Sequence, residues 1–416
     1  MSHTMSHTMS HTMSRTTSRT MRPASDRLDD MRVDDMRVDD MRIDDMRVDD
    51  MRVHDVRVHD VRVHDMRVHD VRKIVVLRPG AVGDFVFALP ALHALKQAYP
   101  GAELVLAGKA WHRAFLHGRP GPVDRVVEVP PVQGVGAHET SKDEVERFVD
   151  ALRAERFDLA LQMHGGGRHS NPFLLRFGAR LTAGACAPGV PLLDRWVPFR
   201  QPSPRRLALL EIAGLAGAEI QWPLDAQPEL ALTEADRHEA AAIMPGLAGK
   251  RLIVLQPGST DPRRCWPAPS FAALGDRLAQ DGACVAVNGS PDEVDLVHEV
   301  VARMHAPAVA LAGRLSLGGL CGLLARAALL VSNDTGPLHL GLALRVPSVG
   351  IFWLTNLIDG MPLRPSTLHA AMSVRTRCPV CDQDNLRARC PHDVSFVADV
   401  GIDEVEALAH AALAHQ

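Results

Sequence analysis

Apolar and polar positions fall into two textures along the chain. Through residues 1–72 they recur with a short tandem period, first MSHT and then MRVDD drifting into VRVHD. A five-residue period advances about 140° per repeat on a helix and changes face at each repeat on a strand, so neither element gains a steady apolar side. A disordered arm is expected here, with Met51 or Met66 as the working start of the chain. His54, His59, His64 and His69, each followed by Asp, offer weak metal chelation at most, against a translated repeat with no function.

From Lys73 the pattern alternates strand-like and helix-like runs. KIVVL at 73–77 reads as a buried strand, and Val86, Leu89, Leu92 and Leu95 mark one face of an amphipathic helix over 85–99. Pro90 lies inside that helix, where proline costs about 3 kcal/mol unless the helix bends, so a kink is expected. ELVLAG, a short helix, DRVVEVP, a helix over 143–155 and the strand DLALQMHG ending at Gly165 continue the alternation.

A Pro-rich passage at 222–228 precedes a second series of the same kind: RLIVLQPG, a helix over 270–280, ACVAVNGS, a helix over 292–304, AVALAG, and a helix capped by Ser316. LLVSNDTGPLHLGLAL at 329–344 then joins a strand end, a polar turn and a helix start. The last helix, 403–414, carries Val405, Leu408, Ala409 and Ala412 on one face and is expected to pack back on the body. This rhythm implies an α/β fold of two Rossmann-like parallel-sheet domains facing a cleft. The organisation read is a repeat arm (1–72), an N-terminal domain (73–228), a C-terminal domain (229–400) and the terminal helix (401–416).

Composition narrows the class. A net charge of -4 gives no basic face for nucleic acid. Seven Cys with no secretory apolar region before them read as reduced thiols of a cytoplasmic protein, and no uncharged apolar run is long enough for a membrane span.

Four loops follow predicted strands: RPGAVGD, LQPGSTDPRRCW, VNGSPDE and SNDTGPLHL. None fits the dinucleotide or P-loop pattern, yet each can turn backbone N–H groups toward an anion. Gly336 permits close approach, and Pro337 suits a first helical position. Ser259, Thr260, Arg263 and Arg264 add hydroxyls and fixed positive charge; a solvated loop is the alternative.

GAVGDFVFALPALHALKQAYPGAEL, LQPGSTDPRRCWPAPSFAAL, VNGSPDE, LAGRLSL and SNDTGPLHL, in this order, resemble glycosyltransferase family 9, the ADP-heptose:lipopolysaccharide heptosyltransferases. The resemblance runs from Lys73 to the C-terminus. It implies a GT-B fold and inverting transfer of heptose from a nucleotide sugar, ADP-heptose, to a lipopolysaccharide-core or other cell-envelope glycan acceptor. Backbone N–H groups and Arg264 can offset the diphosphate charge, so no cofactor or divalent metal is expected to be required. The resemblance also implies an acceptor that is lipid-linked at the inner face of the membrane, where the protein is cytoplasmic or peripheral. The enzyme alternative is a GT-B sugar-nucleotide epimerase, and the non-enzyme alternative is a catalytically silent sugar-nucleotide-binding protein.

By the same resemblance Asp84 is the base, with a helix-start carboxylate as its plainer role, and Arg264 neutralises the leaving diphosphate. Ser259, Thr260, Glu293 (ribose), Leu315 (adenine), Asp334, Thr335, Gly336 and His339 fall on the donor site, although His339 also reads as a packed helix histidine. A bare carboxylate against a diphosphate is repelled, so Asp334 is expected on sugar hydroxyls. Gly83, His164, Arg168 and Asn171 are acceptor-side candidates, against a Gly-rich connection with incidental polar residues. IFWLTNLIDGMPLR departs from the family pattern and leaves the sugar open.

Two further clusters bear on metals. Asp382-Gln383-Asp384 is a DxD outside the four loops and is not expected to hold a catalytic ion. Cys378, Cys381, Cys390 and His392 have zinc-ligand chemistry at a non-standard spacing, with a labile disulfide or free thiols as alternatives.

Overall fold

The computed structural model describes residues 67–137, 141–219, 229–247, 249–280, 282–363 and 367–414. The repeat arm up to residue 66 and the Pro-rich passage at 222–228 lie outside the described residues. Residues 67–72, read as the end of a disordered arm, are instead pinned to the first domain: Val68 N–H donates to Tyr99 Oη (3.1 Å), Arg72 N–H to Asp158 Oδ2 (2.7 Å), and Arg180 Nη2 to the His69 carbonyl (2.6 Å).

The first half runs β1 (Lys73–Leu77), α1 (Val82–Ala98), β2 (Glu103–Gly108), α2 (Ala110–Leu116), β3 (Arg125–Glu128), α3 (Lys142–Glu155), β4 (Leu159–Gln162), α4 (Ser170–Leu175), β5 (Leu181–Cys186), β6 (Arg195–Pro198) and α5 (Arg205–Leu215). The second runs α6 (Glu234–Ile243), β7 (Leu252–Gln256), α7 (Ala268–Ala279), β8 (Cys284–Val287), α8 (Val294–Arg303), β9 (Ala308–Ala310), α9 (Leu317–Leu324), β10 (Leu329–Asn333), α10 (Gly336–Ala343), β11 (Ser348–Trp353), α11 (Leu354–Gly360), β12 (Leu368–Ser373) and α12 (Ile402–Ala414).

The described strands form two wholly parallel sheets, ordered β3-β2-β1-β4-β5-β6 and β12-β11-β10-β7-β8-β9. Each order reverses direction once, between β1 and β4 and between β10 and β7. Ligands of such sheets gather at that reversal, beyond the carboxyl ends of the strands. The loops after these four central strands therefore face the working part of the molecule.

Helix α1 differs from the amphipathic reading. Phe85 to Leu92 are buried without interruption, Pro90 among them. The cause is packing on more than one side: α1 lies against the first sheet and also against α5 and α10. One apolar cluster consequently continues from Ile74 and Val76 through α1 to Leu338, Leu340 and Val254, joining the halves into one core. The terminal helix α12 packs on the second sheet, with Val405, Ala409 and Ala412 buried and Leu408 at the edge of that core.

Candidate functional site

A cavity of about 610 Å³ opens where the two reversal points face each other, lined from the first half by Ala81 to Asp84, Phe87 and Arg205. Its opposite wall brings together Thr260, Arg264, Glu293, Leu315, Asp334, Thr335, Gly336 and His339. These residues come from the loops after β7, β8, β9 and β10 and, for Gly336 and His339, from the first turn of α10.

The starts of α1 and α10 meet there. A Cβ on Gly336 would stand 3.0 Å from Val82 Cβ, and one on Gly83 would stand 3.2 Å from His339 Cδ2. Glycine at both positions lets the two backbones approach closely. Two positive helix ends thus converge on one cavity, a field that favours a bound anion.

Asp84 occupies the third position of α1. Its Oδ2 accepts from the Ala81 N–H at 3.0 Å, the helix-start role, while Oδ1 lies 3.1 Å from Arg78 Nη2 and 3.4 Å from Arg205 Nη1. Burial alone would raise its pKa. Arg78, the Ala81 N–H, Arg205 and His164 together outweigh burial and hold the carboxyl below the usual carboxylate range. Arg78 is itself buried, and it also donates to the Met163 carbonyl and, at 3.0 Å, to the Asp84 carbonyl.

Arg264 is held by Asp334. Its Nη1 donates to Asp334 Oδ2 (3.1 Å) and to the Asp334 carbonyl (3.3 Å), and its Nη2 to Thr260 Oγ1 (3.2 Å). The other carboxylate oxygen, Oδ1, bonds His339 Nε2 at 3.0 Å. Asp334 was expected on sugar hydroxyls; the structure engages both its oxygens with the cation and the imidazole, so it orients its neighbours. His339 is buried against Phe87, with ring centroids 4.5 Å apart, and burial lowers its pKa, more than Asp334 raises it. It is therefore a neutral packed imidazole at the cavity wall.

Glu293 accepts the Ser290 N–H at 2.8 Å and reaches Gln256 Nε2 at 3.5 Å. Ser259 does not line the cavity; its Oγ accepts the Asp261 N–H at 3.4 Å within the loop. Arg263 turns away onto Asp261 (2.6 Å).

A second cavity of about 480 Å³ lies on the first half and shares Asp84, Arg205 and Asp359 with the first. His164 lines it, and burial, with Arg78, pushes the His164 pKa down to about 4. Gly83 lines the first cavity instead. Arg168 is exposed and lines neither. Asn171, also an acceptor candidate, is buried: Oδ1 accepts from Gln162 Nε2 (2.8 Å) and Nδ2 donates to the Pro191 carbonyl (2.9 Å), so it ties β4 to the β5–β6 turn. Arg78, Arg205 and Asp359 were not among the sequence candidates; Arg78 does stand directly after the KIVVL strand, which was a usable signal.

Cys378, Cys381, Cys390 and His392 come together, their ligand atoms all within 4.8 Å of one another. Asp382 instead pairs with Arg377 (2.8 Å) and Asp384 with Arg387 (3.5 Å).

The model of glycosyltransferase family 9 (heptosyltransferase) matches residues 145–383, more than half of the chain. The chain belongs to this family. Among curated relatives, lipopolysaccharide heptosyltransferase 2 of Salmonella typhimurium is 28% identical over 293 residues, covering 67% of this chain and 82% of that protein. A family 9 glycosyltransferase from Veillonella parvula superposes with a TM-score of 0.68 at 18% identity, over 83% of this chain and 98% of that one. The Escherichia coli ADP-heptose LPS heptosyltransferase II superposes with a TM-score of 0.64 at 20% identity, over 83% and 99%. The family 9 chain thus has the GT-B fold and is a glycosyltransferase. Among the described residues, no helix is long and apolar enough to cross a membrane.

Proposed function

We propose that the protein transfers heptose, with inversion, from ADP-heptose to a hydroxyl of a lipopolysaccharide-core or other cell-envelope glycan. The observation that carries this reading is the position of Asp84 in the shared wall of two cavities, one flanked by Arg264 and the Thr335–Gly336 helix start, the other lying on the first half. An inverting transfer needs a base beside the acceptor hydroxyl, on the face opposite the leaving group. In the proposed step the acceptor oxygen forms a bond to the anomeric carbon and passes its proton to Asp84. The bond from that carbon to the diphosphate breaks, and ADP leaves with the electron pair.

Arg264 and the positive start of α10 offset the charge on departing ADP, so the reading assigns neutralisation to the protein and requires no divalent cation or cofactor. Glu293 takes the ribose hydroxyls, and Leu315 the adenine. Thr260 contacts phosphate, while Asp334 and His339 orient Arg264 and the wall. His164 faces the acceptor. The Salmonella relative, a lipopolysaccharide heptosyltransferase, supports heptose and lipopolysaccharide, and the reading puts the protein on the cytoplasmic side, meeting a lipid-linked acceptor at the inner face of the membrane.

The test is a thermal-shift panel with ADP-, GDP-, UDP- and dTDP-sugars, followed by transfer assays with a core acceptor. A ligand of the native state raises its melting temperature. ADP-heptose should do so and lose its heptose only when acceptor is added. A response to UDP-sugars alone overturns the donor, donor conversion without acceptor favours the epimerase, and binding without conversion favours a silent binder.

A further inference from the structure

The segment between β12 and α12 holds its shape with little regular structure and a small apolar interior of Cys378, Cys390 and Phe396 against Trp353. Burial on that scale is a weak reason for a long loop to be ordered. We propose that Cys378, Cys381, Cys390 and His392 bind one zinc ion, and that this Cys₃His site braces the loop carrying Arg264.

The geometry suits a metal better than a disulfide. A tetrahedral ion with Zn–S of about 2.3 Å sets its ligands about 3.5–3.8 Å apart. The three sulfurs and one imidazole nitrogen all lie within 4.8 Å of one another, and Cys378 Sγ stands 3.7 Å from His392 Nδ1. A disulfide needs two sulfurs at about 2.05 Å and gives no role to the third thiol or the imidazole. Donors already point at the sulfurs: Val380 N–H reaches Cys378 Sγ at 3.4 Å, and Asn385 Nδ2 reaches Cys390 Sγ at 3.5 Å. Such outer contacts stabilise thiolates and orient ligands.

The same loop grips the donor side. Phe396 N–H donates to the Arg263 carbonyl and Ser395 Oγ to the Cys265 carbonyl, both at 2.7 Å, on either side of Arg264. Arg263 Nη1 also reaches Asn385 Oδ1 at 3.3 Å, the residue whose amide donates to Cys390. The ion therefore acts on the Arg264 loop through backbone contacts, outside the donor cavity.

The experiment is metal analysis of the full chain purified under reducing conditions without chelator, with cobalt(II) substitution of the same protein. One zinc per chain is expected, and cobalt should give thiolate charge-transfer absorption with the visible bands of a tetrahedral site. Cys381→Ser, at the exposed ligand, should lose the ion on dialysis against EDTA and become open to proteolysis between residues 374 and 401, with its far-UV circular dichroism kept. Substoichiometric metal with no cobalt bands would overturn the site, as would an intact mass lighter by two hydrogens under these conditions. Iron at full occupancy would overturn the assignment of zinc.

Discussion

Arg205 Nη1 stands 3.4 Å from Asp84 Oδ1 while its Nη2 reaches Asp359 Oδ2 at 3.1 Å. Asp84 opens α1 in the first half, and Asp359 closes α11 in the second, so one guanidinium links the proposed base to the opposite wall. Arg205 is 40% exposed on its side chain, whereas Arg78 on the same Asp84 oxygen is 8% exposed. The buried cation and, more weakly, the exposed one both favour the ionised carboxylate.

If Asp84 is the base, Asp84→Asn should lower kcat about 10²–10⁴-fold, the usual contribution of a positioned base, with ADP binding unchanged. Isothermal titration with ADP alongside a transfer assay checks it. Transfer at the wild-type rate would remove Asp84 from the mechanism.

The pH profile should carry the mark of both arginines. An ionised base loses activity as pH falls through its pKa, and that of Asp84 is held below the usual carboxylate range once burial is outweighed. His164, lowered to about 4, stays neutral over the same range. The enzyme's kcat/KM should therefore be flat from about pH 5.5 to about pH 8. Arg205→Gln removes one of the two cations on Asp84, so its acid limb should move to higher pH, with Arg78 and the Ala81 N–H left to oppose burial. An acid limb that does not move would separate Arg205 from the base.

Arg264→Gln should reduce kcat/KM about 10²–10³-fold, the scale for one preorganised donor to developing negative charge. Asp334→Asn keeps the shape and removes the charge that orients Arg264, and about a ten- to hundredfold loss is expected from misplacement. The two are distinguishable by adding the changes together. Because Asp334 acts through Arg264, the double variant should be little worse than Arg264→Gln alone, measured as a double-mutant cycle on kcat/KM.

Much of this site was legible because its loops directly follow apolar runs: RPGAVGD after KIVVL and DTGP after LLVSN each put their polar residues at the end of a buried strand. Arg205 and Asp359 were not legible for the opposite reason. Arg205 begins a helix after β6, whose RWVP alternates between partly buried and exposed positions, and it meets Asp84 across 121 residues of chain. Asn171 was misleading because a polar residue after three glycines reads the same in sequence whether it faces a ligand or, as here, turns inward to bond β4 and the β5–β6 turn. Helix α1 looked one-sided because spacing reveals a single buried face, and its second and third neighbours, α5 and α10, arrive from distant parts of the chain.

Breaking the buried pair of Arg119 and Asp236 on one side should be strongly destabilising, by an amount that depends on pH. Arg119 lies just beyond α2 and Asp236 in the first turn of α6, and they bond at 2.6 Å and 2.9 Å with side chains 4% and 5% exposed. Burial raises the Asp236 pKa, but the Arg119 bond and the Thr233 contacts lower it further, so the folded value lies below the unfolded one. Stabilisation from this carboxylate is then complete above about pH 4, the ordinary carboxylate value, and is lost as pH falls through the lowered folded value. Arg119→Met leaves the acid buried without its cation and should cost about 3–5 kcal/mol at neutral pH. In that variant burial acts on Asp236 with its strongest opponent removed, so its pKa rises and protonation relieves the strain on acidification. The gap in urea midpoint between wild type and Arg119→Met should therefore narrow from pH 7 toward pH 5, and Arg119→Met/Asp236→Leu should recover most of it at pH 7. A gap that stays constant with pH would mean that lost packing on Phe115, over which Arg119 sits at 4.2 Å, dominates instead of charge.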